Sequence, residues 1–150
     1  MWILLTIPFL VQSVAIGLDE LVFHVKRGLP KWERIGHPID TLSVVACFIF
    51  VLSTPYSQQA LYYYIALALL SCILVTKDEF VHKHHCPAME HWLHALLFIN
   101  HPIILAALGL LWHQNLYRGF IISQLVMISL FCLYQIIYWN FIYVPQENKQ

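Results

Sequence analysis

Glycine and charge are both scarce in this chain. Only five of its 150 residues are glycine, and the closely spaced glycines that cradle phosphates or dinucleotides are missing, which argues against nucleotide chemistry. Neither an HExxH zinc-protease motif nor a GxSxG nucleophile elbow is present. The 8 basic residues are balanced by 8 acidic ones and gather in no tract, so nucleic acid is not an expected partner. Cysteine is equally sparse. Cys47, Cys72 and Cys132 fall in apolar runs where a small side chain packs well, Cys86 lies beside Pro87, and no disulfide framework results.

What remains is hydrocarbon. Hydrophobic residues make up 60% of the chain and charged residues 11%, too little polar surface for a water-soluble domain of this size. The expectation is an all-α integral membrane protein with five transmembrane helices. About 20 residues of helix cross a bilayer, and the apolar stretches fall at residues 2–21, 39–52, 59–75, 93–111 and 120–143. The second is short and spans only if it begins near Glu33, with polar residues in its first turns. The first has no basic residue before it and is long enough to cross, so it is read as structure rather than as a signal peptide.

Five spans put the first inter-helix loop, the third and the C-terminus on one face. Lys26, Arg27, Lys31, Arg34, Lys77, Lys83 and Lys149 lie there, and only Arg118 lies opposite. By the positive-inside rule the N-terminus is outside and the C-terminus cytoplasmic, in a bacterial-type inner or plasma membrane. Trp32, Trp92, Trp139 and Tyr143 are expected at the inner interface and Trp2, Tyr56, Trp112 and Tyr117 at the outer one, where amphipathic rings settle.

Against this background the polar residues are concentrated. Seven of the 8 acids and seven of the 9 histidines lie in GLDELVFHVKRGLPKWERIGHPID and KDEFVHKHHCPAMEHWLH. Four times an acid is followed four residues later by histidine: Glu20/His24, Glu33/His37, Asp78/His82 and Glu90/His94. Random scatter would give about 0.5 such pairs. Glu20 to Asp78 and His24 to His82 are 58 residues apart, and Glu33 to Glu90 and His37 to His94 are 57 apart. The spacing reads as a duplicated helical hairpin within one membrane domain, with copies at about 10–54 and 68–112 forming a four-helix core, and a fifth helix at about 117–143 covering it.

An i, i+4 spacing puts both side chains on one helix face. Because adjacent spans are antiparallel, Glu20, His37, Asp78 and His94 form a deeper layer and His24, Glu33, His82 and Glu90 a shallower one, about 6 Å apart at about 1.5 Å of rise per residue. These eight are the expected metal ligands at the cytoplasmic end of the bundle. Mixed imidazole and carboxylate donors suit iron, manganese or zinc, and four helices supplying both types is the logic of two-metal carboxylate sites. The plain alternative is a set of cross-helix hydrogen bonds near the headgroups. Asp19 and Glu79 flank the ligand stripes, Asp40 is expected to orient His37, His85 continues the stripe of the third span beside the ligands, and His91 faces the loop or the headgroups. His101, about 10 Å deeper than His94, is expected in a pocket wall, whereas His113 stands alone at the outer face. On the fifth helix, Gln124 and Gln135 share a face toward the bundle, and no ligand is expected from it.

HKHH at His82, His84 and His85, and HWLH at His91 and His94, resemble the histidine boxes of membrane desaturases and hydroxylases, which hold two irons at the cytosolic face. The resemblance covers residues 82–94 and implies oxidation at a di-iron centre. Those enzymes are larger, carry three boxes and lean less on carboxylates.

The functional expectation is a metal-dependent oxidoreductase with two iron ions, zinc or manganese being alternatives. It would oxidise, hydroxylate or desaturate a lipid or lipophilic small molecule arriving from the bilayer, with an electron donor and a second copy of the chain as candidate partners. Zinc would instead make it a hydrolase of a lipid amide or ester. Two non-enzymatic classes compete. A metal transporter needs polar residues along a path to both faces, and a haem electron-transfer protein held by His37 and His94 leaves the paired carboxylates unexplained.

Overall fold

The computed structural model describes residues 2–78 and 87–143, Asp78 by its backbone alone. Five helices are long and apolar enough to cross a membrane: α1 (Trp2–Arg27), α2 (Lys31–Ser53), α3 (Gln58–Val75), α4 (Ala88–His113) and α5 (Arg118–Ile142). The protein is an all-α integral membrane protein, and no strand occurs among the described residues.

Three helices outrun their apolar stretches at the polar end. α1 continues to Arg27, α2 begins at Lys31 and α4 at Ala88, because helical backbone satisfies itself regardless of side chain and the polar side chains there engage one another. α2 and α4 start alike. Each follows a proline, Pro30 or Pro87, and each carries a glutamate, Glu33 or Glu90, in its first turn, where the helix dipole favours negative charge. The α3 start is capped by Ser57, whose hydroxyl accepts from the Ala60 amide at 3.1 Å.

α1 lies along α4, while α2 lies along α3 and α5 and also meets α4, the most buried of the five. Away from the polar segments, Phe9, Phe48, Tyr64, Leu108, Leu111 and Trp112 close the core. Gly109 allows the Tyr64 ring to press against α4, since a Cβ there would meet that ring at 2.9 Å. Tyr64 Oη donates to the Leu105 carbonyl at 2.6 Å, and Trp112 Nε1 donates to that of Thr54 at 2.9 Å.

α5 does more than cover a four-helix core. It packs on α2 but not along α1. The two helices meet at their ends, through edge-to-face rings of Phe9 and Phe120 with centroids 5.3 Å apart and through Tyr134 and Trp139 on Glu20. Between these ends a cavity of about 430 Å³ extends inward, walled by α1, α2, α4 and α5.

Two turns near the polar end are π-helical, Asp19–His24 in α1 and Tyr138–Ile142 in α5. A π turn holds an extra residue and re-aims the side chains around it, and such turns recur at functional sites. The chain then leaves α1 through Gly28 at φ +78°, where a Cβ would overlap the Tyr143 hydroxyl. Tyr143 in turn lies under the Arg34 guanidinium, 4.8 Å from ring centre to charge. Pro38 deprives the Arg34 carbonyl of its helical donor, and Asn140 Nδ2 donates to it at 3.4 Å.

Candidate metal centre

His24 is the hub. Its Nδ1 lies 3.1 Å from Glu20 Oε2, while its Nε2 lies 3.2 Å from Asp19 Oδ2 and 3.8 Å from Glu90 Oε1. In a straight α-helix Asp19 and Glu20 would diverge by about 100°. The π turn that begins at Asp19 instead lets both carboxylates address opposite edges of one imidazole. The His94 ring approaches from α4, with Nε2 at 3.2 Å from each Asp19 oxygen, and the His37 ring lies 5.0 Å from that of His24.

Glu20 and Asp19 have different surroundings. Both Glu20 oxygens are engaged by protein donors: Oε2 by His24, and Oε1 by Tyr134 Oη at 2.6 Å and Trp139 Nε1 at 2.9 Å. It supports the His24 ring and belongs to neither set of donors described below. Asp19, expected only to flank the site, stands between the two imidazoles. Trp139, expected at the inner interface, is packed inside the bundle at 1% exposed, and Glu20 accepts its indole N–H. Nothing in the residue spacing marks Tyr134 or Trp139, since their partner is 114 or 119 residues away.

At the mouth of the cluster Arg27, a residue expected to signal topology, bridges the first turns of α2 and α4. Its Nη2 donates to Glu90 Oε1 at 2.7 Å and to Glu33 Oε2 at 3.3 Å, and both carboxylates are 0% exposed. The Oε2 atom of Glu90 is buried with no hydrogen-bond partner among the described residues. The sequence-related pairs thus flank single groups of α1: Glu33 and Glu90 flank Arg27, and His37 and His94 flank His24.

Among the described residues two sets of side chains have the donor types and spacing that could hold an ion, with donor atoms within 4.8 Å of one another: Asp19, His24, Glu90 and His94, all buried, and His24, Glu33 and His37. Both use His24, whose Nδ1 is committed to Glu20.

The remaining expected residues fall outside this group. Both Asp40 oxygens accept from Lys77 Nζ. His91 is half-buried and joins neither set. His101 lies in the cavity wall, with Nε2 at 3.0 Å from Ser71 Oγ. Gln124 and Gln135 also line the cavity, and Gln135 Oε1 accepts from Thr41 Oγ1 at 2.8 Å. The Asp78 side chain, Glu79, His82 and His85, together with the HKHH segment, lie outside the described residues.

From the polar cluster the cavity descends along Ile16, Val44, Leu97, Phe98, Met127 and Phe131. Its size is that of a pocket for a small organic ligand. Met127 lines it yet is 48% exposed, so the cavity wall reaches the outer surface of the bundle at that side chain. Comparison with models of known protein families, with curated proteins and with solved structures returns no match.

Proposed function

We propose that the protein is a membrane-embedded metalloenzyme in which Asp19, His24, Glu90 and His94 hold the ion and a lipophilic substrate occupies the cavity beside them. The observation that carries this reading is the convergence of four buried donors from α1 and α4, all mutually within 4.8 Å. Their spacing suits an ion. Around a tetrahedral metal with bonds of 2.0–2.1 Å, neighbouring donors lie about 3.3 Å apart, and the contacts of His24 and His94 with Asp19 are 3.2 Å. Glu20 acts from behind, holding the His24 Nδ1 proton so that Nε2 is the donor, as carboxylates do for metal-bound histidines.

Charge supports the same reading. Asp19 and Glu20 lie on the His24 ring, and Glu33 and Glu90 lie on the Arg27 guanidinium, and a divalent cation would offset the cost of gathering carboxylates inside a membrane bundle. Iron is the favoured ion, with oxygen-dependent oxidation, hydroxylation or desaturation of the substrate and electrons from an external donor. Manganese and zinc fit the same donor types, and zinc would turn the chemistry toward hydrolysis of a lipid amide or ester. The basic residues favour a cytoplasmic position for this end, and the apolar core around Leu108, Leu111 and Trp112 offers no polar path across, which favours an enzyme over a transporter. The paired flanking of Arg27 and His24 supports descent of the two hairpins from one duplicated unit.

Elemental analysis of the detergent-purified protein tests the reading. The expected result is a stoichiometric transition metal that is lost in His24→Ala and in His94→Ala. It is retained in His113→Ala, whose ring packs on Tyr56 with centroids 4.3 Å apart and takes no part in the cluster. A wild-type protein without metal would leave the cluster as a network of ion pairs and overturn the reading.

A further inference from the structure

The deep part of the cavity carries a second polar feature, built separately from the metal cluster. Ser43 Oγ lies 2.7 Å from the Asp40 carbonyl and 2.7 Å from Ser71 Oγ, and Ser71 Oγ lies 3.0 Å from His101 Nε2. A carbonyl can only accept, so the single Ser43 proton goes to Asp40. Ser71 must then donate to Ser43, which leaves Ser71 to accept from His101. The chain therefore assigns the His101 proton to Nε2 and leaves Nδ1 as a bare acceptor. No hydrogen bond reaches Nδ1 from the described residues, yet it is not among the sealed polar atoms, and His101 lines the cavity. Its lone pair is accessible from that space.

A donor accompanies it. Asn100 Nδ2 donates to Gln12 Oε1 at 2.9 Å and to the Pro8 carbonyl at 2.8 Å. This fixes the Gln12 amide with its oxygen toward Asn100 and leaves its NH₂ group for the cavity, which Gln12 also lines. Since Asn100 adjoins His101 in sequence, donor and acceptor stand at one depth, about 10 Å beyond His94 at 1.5 Å of rise per residue. Around them the wall is apolar, with Leu97, Phe98, Ile104 and Leu105 flanking His101 on α4.

We infer that His101, oriented by Ser71 and Ser43 and accompanied by Gln12, forms a subsite for a hydroxyl group carried partway along the chain of a lipophilic ligand. A hydroxyl is the group that both donates to Nδ1 and accepts from an amide, and a pure hydrocarbon would leave both unmet at a cost. The inference deepens the proposed function by specifying the ligand: a neutral or cationic head beside the carboxylate-rich cluster, and a second polar point along the tail. It rests on that reading only for the location of the head.

Competition between a long-chain primary alcohol and the matching diol, with its second hydroxyl at mid-chain, tests the subsite by native mass spectrometry of the detergent-solubilised protein. One net hydrogen bond is worth about 1 kcal/mol, so the wild type should favour the diol about fivefold. His101→Leu should abolish the preference. His101→Asn, which can offer an oxygen near the Nδ1 position, should retain it, and Ser71→Ala should weaken it by releasing the imidazole proton to either nitrogen. No preference in the wild type, or an undiminished one in His101→Leu, would overturn the inference. Metal content measured on the same samples separates the two proposals: a metal-free protein that still selects the diol sinks the metal centre alone, and a metal-loaded protein without selection sinks the subsite alone.

Discussion

Replacing Glu20 by glutamine changes one atom and should invert an imidazole. The carboxylate accepts from His24 at Oε2 and from Tyr134 and Trp139 at Oε1. In Glu20→Gln the amide oxygen is held by Tyr134 and Trp139, which can only donate to it at those contacts, so the NH₂ group must turn toward His24. An NH₂ group facing Nδ1 requires Nδ1 to accept, and the His24 proton then moves to Nε2, the nitrogen directed at Asp19 and Glu90. A protonated Nε2 cannot bind a metal. Loss of such an orienting partner typically weakens metal affinity 10- to 100-fold, or about 1.4 to 2.7 kcal/mol. Shape and volume barely change, so the fold should persist. Metal affinity is measured by chelator competition in detergent, and the His24 tautomer by nitrogen NMR of the metal-free variant. An affinity within about twofold of wild type, or a His24 still protonated at Nδ1, would refute the reasoning.

Two further outcomes follow from neighbouring contacts. Arg27→Met strips the guanidinium from Glu33 and Glu90, both 0% exposed. Breaking a buried ion pair from one side costs about 3–5 kcal/mol. Thermal unfolding in detergent should show that loss, with part of it recovered when a divalent metal is added. Gly28→Ala forces a side chain into φ +78° and against the Tyr143 hydroxyl. It should destabilise by about 1–3 kcal/mol, and Tyr143→Phe in the same chain should restore part of the unfolding temperature.

Much of this protein can be read along the chain. Five apolar stretches require five spans, because lipid leaves helical hydrogen bonding as the only route for isolated segments. The acid-x-x-x-His pairs at 57- and 58-residue intervals direct attention to the polar end of the bundle, and Glu33, Glu90, His24, His37 and His94 do gather there. Local spacing could not assign their roles. The i, i+4 rule assumes an α-helix throughout, whereas Asp19–His24 is a π turn, and that change of winding moves Asp19 between the imidazoles while Glu20 turns to Tyr134 and Trp139.

Partners far apart in sequence were settled only by packing. Arg27 reads as a topology signal until α2 and α4 bring two buried glutamates to it. Trp139 reads as an interfacial ring until α5 carries it to Glu20. Hydropathy therefore determined that the chain is a bundle of membrane helices and where its polar residues concentrate, since burial in lipid acts on composition. Which helices touch, where α1 and α5 part to leave a cavity, and which oxygen meets which nitrogen were decided by tertiary structure, because contacts of a few ångströms depend on side-chain shape and helix winding that no linear spacing encodes.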